Sequence, residues 1–281
     1  MNSLVKLVTC LFAIVPVTMS AQMDKNFFKK LQTEKITSSD CLKWKQFGPG
    51  MAGYCEEFWI HPTNDNVMFM GPDMHVSYGT WDRGHSWQTL KDCDGTGQDM
   101  KRVIEMDFSR QNPDFGLALD WNGEVYKTDD MGHTWNCIYK LGKRHSALAV
   151  DPNNDKVWYA GAGDFWNVKE NHRSLKNLNG IKFKFAAYGH IWKTTDGGKS
   201  WKKLTNGIPE GADIGKIIVD PRNSEVVYMI CGQGMYKSIN GGKSWKVSAN
   251  GLPNNLPRDL TSYYDKKSKE HQCLIEKYEK D

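Results

Sequence analysis

Four stretches of the chain read alike: Thr80-Trp-Asp-Arg-Gly-His-Ser-Trp87, Thr128-Asp-Asp-Met-Gly-His-Thr-Trp135, Thr194-Thr-Asp-Gly-Gly-Lys-Ser-Trp201 and Ser238-Ile-Asn-Gly-Gly-Lys-Ser-Trp245. The shared pattern is Ser/Thr-x-Asp-x-Gly-x-Ser/Thr-Trp, with Asn240 in the fourth copy where the others carry Asp82, Asp130 and Asp196. A short carboxylate at a turn accepts hydrogen bonds from nearby backbone N–H groups. The glycine supplies a positive φ that other residues resist. The closing tryptophans, Trp87, Trp135, Trp201 and Trp245, then start an outgoing strand and can pack between neighbouring sheets. An acid repeated at every hairpin is read as structural rather than as a calcium ligand or a catalytic acid.

The spacing of the turns points to blades. Asp82 and Asp130 are 48 residues apart, Asp130 and Asp196 are 66 apart, and Asp196 and Asn240 are 44 apart. A four-stranded propeller blade takes about 40–50 residues, so the middle interval carries an insertion of roughly 20. A second punctuation precedes each turn: His61-Pro62, Asn112-Pro113, Asp151-Pro152 and Asp220-Pro221, each between short apolar runs rich in β-branched and aromatic residues. Each unit therefore reads as strand A, a Pro/Asn/Asp turn, strand B, a loop, strand C, the repeated turn and strand D. The fold class expected is all-β: a β-propeller of four-stranded antiparallel blades at about 52–91, 101–139, 145–204 and 213–248. A partial fifth follows at 255–281, and the ring is expected to be incomplete.

The rest of the composition narrows the class. The chain has 281 residues, 39% hydrophobic and 25% charged, with 11 Trp and a net charge of +4. That charge, without a basic tract, does not argue for nucleic acid. Residues 1–21 have the features of a secretory signal: Lys6, an apolar run over 7–17, and small residues for cleavage after Ser20 or Ala21. Residues 22–51 read as a polar lead-in with a short helix near 26–35, and no later stretch is apolar enough to span a membrane. Export leaves Cys41, Cys55, Cys93, Cys137, Cys231 and Cys273, which allow 15 pairings that sequence does not choose among. No Cys/His cluster has zinc spacing, so no metal and no cofactor is expected.

The four turns resemble the Asp-box (BNR) repeat of the sortilin, xyloglucanase-type glycoside hydrolase and sialidase superfamily. The resemblance implies a propeller whose ligand site lies on the face away from the repeated turns, where the D-to-A and B-to-C connections emerge around a central channel. Residues approaching strand A on that face are Glu56, Glu57, Lys101, Arg102, Arg144, His145, Asp213, Arg258 and Asp259. The B-to-C loops add Asp73, His75, Asp120, Trp121, Asp164, Trp166 and Gln233. Acids transfer protons and flat aromatic faces stack on sugar rings, so this mixture suits a polysaccharide.

Glu56 is the candidate catalytic acid. The stretch Trp44 to Pro62 resembles the first blade of the xyloglucanase-type enzymes, where a Gly-rich run leads to a catalytic Asp before an apolar strand and a His-Pro turn. Here Glu replaces that Asp, and the second acid of the family comes from a second propeller. Sialidases resemble the chain less, with Arg102, Arg144 and Arg258 as the matching arginines. The insertion from Gly163 to Gly189 interleaves aromatics with Lys and Arg and is expected to overhang the channel. Two functions follow. One is a secreted propeller of glycoside hydrolase type, whether truncated, split or completed by a second chain. The other is a non-catalytic propeller, resembling sortilin-like receptors or assembly factors, that binds a protein or glycan.

Overall fold

The computed structural model describes residues 35–37, 43–45, 55–72, 76–90, 100, 102–142, 145–163, 189–231, 233–248, 257–265 and 270–277. The expected signal segment lies outside them, as do the expected helix short of Lys35 and most of the 163–189 insertion. The chain divides into two compact units, Met1–Phe47 and Gly48–Asp281.

In the first unit, β1 (Lys35–Thr37) pairs antiparallel with β2 (Lys43–Lys45). Thr37 and Trp44 stand seven residues apart, as Thr80 and Trp87 do, but Ser39 and Cys41 replace the acid and the glycine of the repeated turn.

Among its described residues the second unit holds four four-stranded antiparallel sheets, each formed by consecutive strands. Sheet I is β3 (Cys55–Ile60), β4 (Met68–Pro72), β5 (Tyr78–Thr80) and β6 (Gln88–Thr89). Sheet II is β7 (Val103–Phe108), β8 (Gly116–Asp120), β9 (Glu124–Thr128) and β10 (Asn136–Lys140). Sheet III is β11 (His145–Asp151), β12 (Asn154–Ala162), β13 (Ile191–Thr194) and β14 (Lys202–Leu204). Sheet IV is β15 (Ile214–Val219), β16 (Val227–Cys231), β17 (Gly234–Ser238) and β18 (Lys246–Val247). A two-stranded ribbon of β19 (Pro257–Asp265) and β20 (Glu270–Lys277) follows. No helix occurs among the described residues. The fold is that of β-propeller blades, and the ring is not closed.

Each repeated turn joins the third strand of its sheet to the fourth, and its hydrogen bonds explain the residue pattern. One carboxylate oxygen of Asp82, Asp130 and Asp196 accepts the N–H of Ser86, Thr134 and Ser200 at 2.8, 2.8 and 2.9 Å. The same oxygen accepts the hydroxyl of Thr80, Thr128 and Thr194 at 2.8, 2.7 and 2.7 Å. The second oxygen takes the hydroxyl of Ser86, Thr134 and Ser200. Asn240 reproduces this with its amide: Oδ1 accepts the Ser244 N–H at 2.9 Å, and Nδ2 donates to Ser244 Oγ at 2.8 Å.

The turn glycine is required twice over at Gly132. Its φ is 85°, and a Cβ there would meet the Phe69 ring of sheet I at 2.6 Å. Trp135 and Trp201 fold back to donate their indole N–H to Gly132 and Gly198 carbonyls, both at 2.9 Å. Each turn is also tied to the A-to-B turn of its own sheet. Arg83, Met131, Gly197 and Gly241 N–H groups donate to Asn66, Asp114, Lys156 and Glu225 carbonyls.

The core lies between sheets, one apolar layer per junction. Phe69 of sheet I packs with Met106, Phe108 and Trp135 of sheet II. Leu117 and Leu119 of sheet II pack with Leu148, Val150 and Trp158 of sheet III. Tyr159 and Ile191 of sheet III meet Ile217, Val219 and Met229 of sheet IV, and Ile230 and Met235 meet Leu260 of the ribbon. Register makes the missing junction visible. Phe58, Met106, Leu148, Ile217 and Leu260 occupy the same ladder position in successive first strands. The last four are 1–4% exposed, whereas Phe58 is 44% exposed. Two residues on, Phe108, Val150 and Val219 are 2–5% exposed, whereas Ile60 is 58% exposed. Among the described residues of the second unit, no other sheet packs against this apolar back face of sheet I.

Two outcomes are expected. Ile60→Asp should change stability by less than about 1 kcal/mol in urea denaturation, while Val219→Asp at the equivalent buried position should cost more than about 3 kcal/mol; equal costs would mean that sheet I is covered in solution. The second concerns pH. Burial acts against Asp82, but bonds from Ser86 and Thr80 outweigh it and hold the carboxyl at about 2. Ser200 is the main group holding Asp196 at about 2. For Asp130, too, bonds from Thr134 outweigh burial and lower the pKa. A depressed carboxylate stabilises the fold above its unfolded pKa of about 3.9 and loses that contribution as pH falls through the folded value. Replacing Asp82, Asp130 and Asp196 together by Asn should therefore flatten the loss of Tm between about pH 4 and pH 2. An unchanged acid limb would rule these carboxylates out as its source.

Candidate functional site

The end of the blades opposite the repeated turns is built by the approach to each first strand and by the second-to-third-strand connection beside it. Contacts between these segments recur. The Val103 N–H donates to Ser77 Oγ at 3.3 Å, and Ser146 Oγ donates to the Gly163 carbonyl at 2.8 Å. A Cβ on Gly123 would overlap the Gly142 carbonyl at 1.7 Å, and one on Gly163 would meet the Asp213 Cα at 2.7 Å. Among the described residues, linker and turn thus touch at Val103 with Ser77, Gly123 with Gly142, Ser146 with Gly163 and Gly163 with Asp213.

All five first-strand ladders shift register at their start. The residue left over by the shift is Glu56, Ile104, Ser146, Gly215 and Arg258 in turn. Bulges of this kind re-aim a side chain and recur beside functional sites. The backbone position of Glu56, the predicted acid, is therefore a repeated structural feature rather than an ordinary strand position.

The predicted ligand residues divide on burial. Asp120 is fully buried, and its Oδ1 accepts the N–H groups of Asn122 and Glu124 at 2.8 and 2.9 Å. This carboxylate closes the β8–β9 turn, and such a role leaves it turned away from solvent. His145 is also buried, edge-on to His190 with ring centroids 6.5 Å apart, and neither ring nitrogen makes a hydrogen bond. Burial, and secondarily His190, lowers its pKa to about 3, so the imidazole is neutral at physiological pH.

Arg102 and Trp121 remain half-buried and meet: the guanidinium lies 5.0 Å from the indole centroid, and the Trp121 N–H donates to the Arg102 carbonyl at 2.9 Å. Burial pulls the Arg102 pKa below its usual value. Asp213 lies in the linker before β15. Asp73, His75, Arg144, Asp164 and Trp166 fall outside the described residues.

A triad joins three blades and is absent from the sequence expectations. Trp59 Nε1 of sheet I donates to Glu105 Oε1 of sheet II at 2.6 Å, and Lys216 Nζ of sheet IV donates to Glu105 Oε2 at 2.9 Å. Glu105 and Lys216 are register counterparts, each the first paired residue after the bulge. Aligning the first strands would have found them. The pair skips sheet III, where the small Ala147 occupies the same position.

Among the described residues no group of three or more His, Cys, Asp or Glu is arranged to hold a metal ion, and no helix is long and apolar enough to cross a membrane. Cys55, Cys137 and Cys231 form no disulfide.

No family model and no curated protein matches the chain. Solved structures do. The chain is similar to an ancestral GH74 enzyme, with TM-score 0.58 and 20% identity over 82% of this chain and 32% of that one. It is similar to a Niastella koreensis GH74 enzyme, with TM-score 0.55 and 22% identity over 77% of this chain and 32% of that one. It is also similar to the extracellular domain of a protein described as a one component system of B. thetaiotaomicron, with TM-score 0.51 and 10% identity over 76% and 25%. At these identities the likeness defines the class of fold, a β-propeller, and the chain spans 32% of each GH74 chain.

Removing one partner of the inter-blade pair should be costly, because Glu105 would keep a buried charge. Lys216→Met is expected to lower stability by about 3–5 kcal/mol, and the double variant Glu105→Gln/Lys216→Met to recover most of it. A double variant as unstable as the single one would show that the charge is not what matters.

Proposed function

We propose that the chain is a secreted Asp-box propeller of glycoside hydrolase type that acts on or binds polysaccharide. In this reading residues 1–21 are a signal peptide, 22–51 a lead-in and 52–281 the propeller. The observation that carries it is the rim: a bulge that recurs at the Glu56 position of sheet I, and on sheet II a half-buried Arg102 over Trp121. The fold shared with the two GH74 enzymes supports it. Glu56 is assigned the acid role. Arg102, Trp121 and Asp213 are assigned to ligand contact, with Asp73, His75, Arg144, Asp164 and Trp166 on the neighbouring loops. Asp120 and His145 are assigned to supporting the rim, since both are buried.

The second reading is a binding propeller without catalysis, of the sortilin or assembly-factor kind. It is favoured by the state of the acids: Asp120 is committed to a turn and Glu105 to Lys216, and an inverting glycosidase needs two carboxyls about 6.5–9.5 Å apart. The open back face of sheet I, with Phe58 and Ile60, suits a further blade from a partner or second chain.

Reducing-sugar release from β-glucans, measured together with glycan binding, separates the two. Glu56→Gln is expected to lower hydrolysis by about 100-fold or more while binding stays within about twofold. Hydrolysis that survives the substitution removes Glu56 from catalysis. Binding without hydrolysis by the wild type selects the second reading.

A further inference from the structure

We infer that the outer edges of sheets III and IV, at the end that carries the repeated turns, form a docking surface for an acidic polysaccharide, separate from the rim. The inference takes the glycan reading above for its choice of polymer.

Register exposes the surface. One cross-strand row runs through the second, third and fourth strands of every sheet. It is Phe69, Gly79 and Gln88 in sheet I, and Leu117, Lys127 and Asn136 in sheet II. It becomes Tyr159, Lys193 and Lys202 in sheet III, and Tyr228, Lys237 and Lys246 in sheet IV. In two successive blades, two lysines stand directly opposite each other. Like charges in that position destabilise a sheet.

The charges around these rows do not cancel them. In sheet II, Lys127 pairs with Asp129 at 2.7 Å, whereas Thr195 and Ile239 hold the corresponding places in sheets III and IV. The hairpin from Ile191 to Leu204 carries Lys193, Lys199, Lys202 and Lys203 against one acid, Asp196, whose carboxylate is spent on Thr194 and Ser200. The hairpin from Gly234 to Val247 carries Lys237, Lys243 and Lys246 and no acid, because Asn240 stands where the motif has Asp. Lys199, Lys202, Lys203, Lys243 and Lys246 are exposed, and among the described residues none makes an ion pair.

The two rows are joined. Lys193 Nζ donates to the Gly241 carbonyl at 2.8 Å, which sets sheet III against the turn that carries Lys243. Burial lowers the Lys193 pKa, Glu225 acts against the fall, and Lys243 adds to it. Lys193 and Lys237 lie 5.0 and 5.1 Å from the ring centroids of Tyr159 and Tyr228, so the inner ammoniums are held in place. Lysine at a sheet edge also blocks pairing with another strand. That task needs only the outer residue, and Gln88 and Asn136 occupy the same edge position without charge. The inner lysines therefore call for a partner that offsets their repulsion. An extended polyanion crossing both blades does so. Ammonium groups without a guanidinium fork suit a polymer held by charge rather than by fixed geometry.

Affinity electrophoresis of the full chain through gels containing polygalacturonate, heparin, neutral xyloglucan or duplex DNA tests this. Retardation by polygalacturonate or heparin is expected, weakening as salt rises. Polygalacturonate alone assigns the surface to carboxylates, and heparin alone assigns it to sulfates. The double variant Lys202→Gln/Lys246→Gln should weaken that binding about tenfold or more. Its Tm should stay the same or rise, since facing like charges are removed. If it melts early, Lys199→Gln/Lys243→Gln, placed in the turns, is used instead. Acidic-polymer binding indifferent to these substitutions, or retardation by xyloglucan equal to or greater than that by the acidic polymers, overturns the surface and leaves the glycan reading standing. Stronger retardation by DNA than by either acidic polysaccharide overturns the choice of occupant. No retardation by any polysaccharide overturns both.

Discussion

The turn between the third and fourth strands depends on one carboxylate that accepts bonds from both ends of its own loop. Thr80 and Ser86, Thr128 and Thr134, and Thr194 and Ser200 are each drawn to a single Asp. That closure sets the glycine at positive φ and brings it against the preceding sheet, as Gly132 against Phe69 shows. It also fixes where the tryptophan leaves the turn. Local hydrogen bonding and inter-sheet packing are therefore one constraint, and the blade-on-blade stack follows from repeating it.

The opposite end of the blades follows a different logic. There, among the described residues, contacts between linkers and loops hold the chain, as Val103 with Ser77 and Ser146 with Gly163. Such an end tolerates variation in side chains while keeping their positions, which suits recognition. The register shift at the start of every first strand belongs to this end. It separates a rim position, represented by Glu56, from an inner position where Glu105 and Lys216 pair across an intervening blade.

Much of the architecture was legible in the sequence because its cause is local. The eight-residue turn contains both the acid and the donors that satisfy it, so its period exposed four sheets and their strand order. The site was less legible. Asp120 and Asp213 look alike as rim acids, yet Asp120 is buried within a turn. His145 looked like a polar rim residue and is enclosed beside His190. The fit of Arg102 to Trp121 was invisible even though both were singled out, because their contact depends on a ladder pairing between residues 19 apart.

By itself the sequence determined the repeating unit and its strand order, since each follows from interactions within a dozen residues. Tertiary structure alone decided which acids are spent on the scaffold and that Glu105 meets Lys216 across 111 residues. It also decided that Phe58 and Ile60 lie open while their counterparts are covered. The reason is physical: burial and pairing depend on which sheet packs against which, and no residue's own chemistry records its neighbour.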